Sequence, residues 1–277
     1  MMLIRAASVT LAISVTGVSA VIAQSSLVEL MQRHGVHVKA GEFDAAFDAF
    51  EAPEVPVTPG SFATPLAVLA STTGPERIDG AYAFGILAGR SGRAASPQEL
   101  NAAGQALIQM LHSGDLRSRV AGARVAGRLF AAPFDKAGSR PAVPVGMADA
   151  IFSLLNQDDE IEQLAAMDAL GLMRETTAVR SLNERYQFYR ERRQRSLAGG
   201  ALEALARIGD PSTTALVKQL AGDRWADGKD PTALAVAFAR ERLLKDGSIA
   251  VIQQALNDKS RRNQARGYLA ELGATLP

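Results

Sequence analysis

The densest run of side chains that could do chemistry is NERYQFYRERRQR, residues 183–195. Arginine and tyrosine in one helical run suit anionic or planar partners, through bidentate hydrogen bonds and stacking. Tyr186, Tyr189, Arg190 and Arg193 stand at i, i+3, i+4 and i+7, which puts them on one helix face, with Arg185 adjoining. These five residues are the candidate partner-binding set. The same run also reads as a solvated surface whose tyrosines cover the joint between neighbouring helices.

Other candidates are sparse. The only histidines are His34, His37 and His112. His34 and His37 could share a metal with Glu42 or Asp44, but Gly35 between them marks a helix end, and surface histidines are the preferred reading. His112 precedes Ser113-Gly114 at a helix C-terminus, where the dipole favours a cation. Asp158, Asp159, Glu160 and Glu162 open a helix, where capping accounts for them. GRSGR at 89–93 has no strand before it and makes no phosphate cradle. Trp225, the single tryptophan, reads either as a binding anchor or as packing over a loop. No nucleophile elbow, Walker loop or zincin motif occurs, and there is no cysteine. The expectation is no catalytic residue, no metal and no cofactor.

The elements that would position these residues are helices. The chain has 277 residues, 47% hydrophobic and only 5% aromatic, and alanine is abundant. That composition favours close packing through small side chains. Residues 1–23 read as a signal peptide: Arg5, an uncharged apolar stretch over 6–22, and Val21 and Ala23 before a cut at Gln24. The alternative is an uncleaved anchor. Cleavage removes Arg5 and takes the formal net charge of +1 to about zero, which argues against a nucleic-acid partner. After cleavage no stable membrane insertion is expected, and the address is periplasmic or secreted.

One helical hairpin is legible in full. In GGALEALARIGDPSTTALVKQLAGD, residues 199–223, Ala201, Ala204, Leu205 and Ile208 continue an apolar stripe from Leu197. Gly209 then stops the first helix, Asp210 caps the next and Pro211 takes its first position. So short a turn predicts two antiparallel, touching helices. The pattern recurs. Ala83, Ala126, Ala169, Ala204 and Ala239 sit in similar stripes, spaced by 43, 43, 35 and 35 residues. The longer periods carry insertions at GRSGRAASPQEL, with a Ser96-Pro97-Glu99 capping box, and at AAPFDKAGSRPAVPVG. A closing helix is expected over 259–272. Two stripes of this size cannot make a core alone, so neighbouring hairpins must stack.

The A-L-x-x-I-G-D-P core of SLAGGALEALARIGDPSTTALVKQLAGD resembles the HEAT-like repeats, including the shorter bacterial phycobilisome-lyase form. The resemblance covers roughly residues 74–273. It implies an all-α solenoid over 73–277, with residues 24–72 as a helical N-terminal cap. It also implies a concave face lined by second helices, the kind of surface that binds proteins or peptides. The functional expectation is an exported, non-enzymatic scaffold for a protein or peptide partner of acidic character. The alternative is a lyase-like enzyme or enzyme accessory that binds a small ligand.

Overall fold

The structure is a computed structural model that describes residues 28, 60–70, 74, 76–90, 95–132, 141–222, 225, 230 and 232–274. The signal segment, His34, His37, Asp223 and most of the expected N-terminal cap lie outside the described residues, as do parts of both insertions. The protein is all-α, and no strand occurs among the described residues. In chain order the α-helices are α1 (Ala63–Ala70), α2 (Glu76–Arg90), α3 (Pro97–Leu111), α4 (Leu116–Leu129), α5 (Met147–Leu154) and α6 (Glu160–Leu172). They continue with α7 (Val179–Glu191), α8 (Arg195–Ile208), α9 (Thr214–Gln219), α10 (Ala233–Leu244), α11 (Ile249–Ala255) and α12 (Arg262–Glu271). No helix among the described residues is long and apolar enough to cross a membrane.

Local chemistry sets the boundaries. Ser96 and Glu99 form the reciprocal capping box, with Pro97 at the first position of α3. Asp115 caps α4 and Asp159 caps α6. Gly209 ends α8 in the left-handed conformation at φ 73°, which costs a glycine little. A second device repeats: Asp210, Asp230, Asp246 and Asp258 each accept from the backbone N–H and the hydroxyl of the Ser or Thr two positions on. Asp258 therefore holds a turn, and the closing helix starts at Arg262 instead of Lys259. Its carboxyl is held down to about 2 by the Ser260 hydrogen bonds and Arg261.

Ala83, Ala126, Ala169, Ala204 and Ala239 are all fully buried. The helices that carry them, α2, α4, α6, α8 and α10, form one layer, each packed on the next. The spacing is set by glycine. A Cβ on Gly127 would lie 2.6 Å from Ala169 Cα, and one on Gly171 would lie 2.8 Å from Ala204 Cα. Neither Cα can retreat without moving its helix. A charge pair reinforces the α4–α6 joint, where Arg119 donates to the buried Glu162.

The second helices pair differently from the sequence expectation. α3 packs chiefly on α4, α7 on α8 and α9 on α10, so the main partner of α9 is the helix that follows it and not α8. α9 is short and flanked by 3-10 turns at Pro211–Thr213 and Leu220–Gly222; it presents Val217 to the core, and the turn after it presents Leu220. The compact units are therefore α3–α4, α5–α6 and α7–α8, closed by tight turns. Both insertions fall between units. α1 packs on α2 and α3.

These close approaches give a paired prediction. Gly127→Ala should cost about 1–3 kcal/mol, because the added methyl meets backbone. Gly267→Ala, on the open face of α12 with nothing within 4 Å of the new Cβ, should be neutral or gain up to about 1 kcal/mol. Melting curves of the two variants provide the check.

Candidate functional site

The Arg/Tyr run forms α7 and its C-terminal turn. Tyr186 and Tyr189 are 1% and 3% exposed, so both rings belong to the core. Tyr189 donates its hydroxyl proton to Gln163 Oε1 of α6 at 2.5 Å. Arg185 donates to Tyr189 Oη at 3.1 Å and to Asn156 Oδ1 at 2.7 Å, which ties α7 to the end of α5. The helix stops at Glu191, and Arg193 lies beyond it with φ 60°, so the four residues do not share one face. Arg190 is half-buried, with its guanidinium 5.9 Å from the centroid of the buried Trp225 ring. Arg192 and Arg193 are exposed, and Arg192 lies 3.9 Å from the centre of the Phe188 ring, itself 44% exposed. The tyrosines are inside because two long rings on one flank of α7 fill the joint with α6 and α8. The outer surface is arginine plus Phe188, a residue that the tyrosine-centred reading passed over. His112 is the exposed C-cap of α3.

A second group of polar residues lies on the opposite side of the layer. On α8, Ser196, Gly200, Glu203 and Arg207 recur at i, i+4, i+7 and i+11. This stripe points away from Leu197, Ala201 and Leu205. Arg207 is 8% exposed and fully engaged. Its Nη1 donates to Asp168 Oδ1 of α6 at 2.6 Å, while its Nε and Nη2 each donate to Glu271 of α12 at 2.9 Å. Glu203 Oε2 stands 3.8 Å from Arg207 Nη2, and Gln264 of α12 donates to Glu203 Oε1 at 3.2 Å. Tyr268 of α12 stacks on Phe238 of α10, with ring centroids 4.4 Å apart. One guanidinium thus binds α12 across the layer to α6 and α8.

Beside this cluster opens a pocket of about 190 Å³ between α4, α6 and α8. It is lined by Arg124, Leu164, Asp168, Ser196, Glu203 and Arg207, with Gly200 packed so closely that a Cβ there would lie 2.8 Å from Leu164 Cδ2. Burial would lower the Arg207 basicity, but Asp168, Glu271 and Glu203 outweigh it and hold the guanidinium well above its ordinary range. Burial raises the Glu203 carboxyl, and Arg207 only partly opposes this. Burial and then Glu203 raise the Tyr268 hydroxyl. Arg124 is 9% exposed, and its Nη1 is buried without a hydrogen-bond partner.

Sequence reasoning missed this site. Arg207 reads from sequence as an ordinary last-turn cation, and its partners come from positions 39 and 64 residues away. A signal existed for Arg124. It is the one charge within Val120–Gly127, a run buried from end to end.

No protein-family model matches the chain, and no curated protein matches it. Among solved structures, the crystal structure of an engineered protein is similar over 91% of this chain and 96% of its own, with 17% identity and a TM-score of 0.43.

Two predictions follow from the charge cluster. Arg207→Met leaves Asp168, Glu271 and Glu203 uncompensated and should cost about 3 kcal/mol or more, measured by denaturant unfolding. Glu203 keeps its proton more tightly when folded. The stability linked to it is fully present below the ordinary value of 4.5 and falls as pH rises through the raised folded value. Glu203→Gln, neutral at every pH, should therefore melt like the parent in acid and above it near neutrality.

Proposed function

We propose that the chain is an exported, non-enzymatic scaffold: an α-solenoid of HEAT-like repeats that binds a protein or peptide partner of acidic character. The all-helical fold and the regular layer of alanine-bearing helices support the scaffold. The partner surface is the outer side of α7 and its turn, with Phe188 as the apolar centre and Arg192, Arg193 and the accessible part of Arg190 around it. The observation that carries this reading is the exposed Phe188 ring under a guanidinium. An apolar centre within a positive rim is the composition of an interface hot spot for an acidic segment. Arg185, Tyr186 and Tyr189 then support that surface from behind, instead of touching the partner.

The test uses Arg192→Glu with Arg193→Glu, two exposed positions. Wild type and variant are used side by side as bait in envelope extract, and any recovered partner is titrated against both. The reading expects one stoichiometric partner, with binding weakened by about 2 kcal/mol, roughly thirtyfold, in the variant. The melting curve should move little, since surface changes shift stability by about 0.5 kcal/mol or less. Equal recovery by both baits would remove this surface. Turnover on a hydrolase panel with no partner found would remove the scaffold reading.

A further inference from the structure

The pocket between α4, α6 and α8 has walls of opposite character. On one side stands Arg124, buried on a helix whose neighbouring positions are all closed to solvent. Its Nη1 has no acceptor, and no described residue forms an ion pair with it. A guanidinium held like this costs folding free energy unless something else supplies the acceptor. On the other side stand Asp168, Glu203 and Arg207. Arg207 adds little positive field, because Asp168 and Glu271 already face it at hydrogen-bond distance. Asp168 gives only Oδ1 to that bond, about a third of its side chain is exposed, and it lines the pocket.

We infer that this pocket binds a small zwitterion of the amino-acid class, with its carboxylate on Arg124 and its ammonium group toward Asp168 and Glu203. The charge pattern selects this chemistry. A multiply charged anion such as phosphate would meet two carboxylates along with the one free guanidinium. A simple cation would meet the guanidinium. A molecule carrying one carboxylate and one ammonium group satisfies both walls. The size agrees: about 190 Å³ is more than ten times the roughly 10–15 Å³ that a cavity needs to hold one water, so a small organic molecule fits. Ser196 stands exposed at the rim, so the pocket opens to solvent. This site lies across the layer from α7 and does not depend on the partner surface proposed there. The Arg192→Glu, Arg193→Glu variant should bind the same ligand unchanged.

The experiment is calorimetric titration of the full chain with each of the twenty L-amino acids, propionate and inorganic phosphate, with melting curves alongside. At least one amino acid should bind saturably at one per chain and raise the melting temperature. Propionate should bind more weakly, and phosphate weakest of all. Arg124→Gln should weaken the amino acid about tenfold or more. Its ligand-free melting temperature should stay the same or rise, because the variant removes a buried charge with no partner. Ser196→Trp keeps that charge and obstructs the rim, and should also abolish uptake. The inference is overturned if no amino acid binds at millimolar concentration, or if phosphate binds as tightly as the best of them. It is also overturned if either variant binds like wild type, or if Arg124→Gln melts lower, which would make Arg124 structural.

Discussion

Where Gly127 lies on Ala169 and Gly171 on Ala204, α4, α6 and α8 approach so closely that no side-chain atom separates their backbones. Helix axes can come this near only through small residues, and the gain is dispersion contact along the whole seam. The rest of the molecule follows from this constraint. The stripes that carry the alanines are consumed by the layer itself, so each second helix finds its apolar surface on the following unit. The polar stripes are left on the far side, where α12 and the pocket are built.

The two buried arginines of the far side show how position decides the fate of a charge. Arg207 sits where three carboxylates from α6, α8 and α12 converge, and it becomes a structural tie whose desolvation is offset by its partners. Arg124 sits on α4, two helices along the layer from α8, and no described residue supplies its Nη1 with an acceptor. The desolvation that the first arginine recovers from the protein stays unrecovered at the Nη1 of the second, which is the group the inferred ligand would satisfy.

Much of this was legible in the residues. The buried alanines, the Ser96 box, the caps at Asp115 and Asp159 and the stop at Gly209 follow from local chemistry, which short stretches of sequence encode directly. The pairing of α9 with α10 was not legible. A tight G-D-P turn reports that two helices reverse direction, and it does not report which of several apolar neighbours wins the contact. The fate of Tyr186 and Tyr189 turns on the same point, because spacing places them on a common face and only the neighbour, Gln163 of α6, makes that face internal. The pocket was least legible. Its groups come from three helices and are pinned by a fourth, with partners up to 64 residues apart.

Amide hydrogen exchange, resolved residue by residue, tests the glycine seam most directly. If close backbone packing of the layer holds the molecule together, the central amides of α4, α6 and α8 exchange last. They should also share one opening free energy, equal to that of global unfolding. If α6 instead exchanges well before α4 and α8, or opens with a free energy of its own, the layer is not the cooperative unit and the account fails at its base.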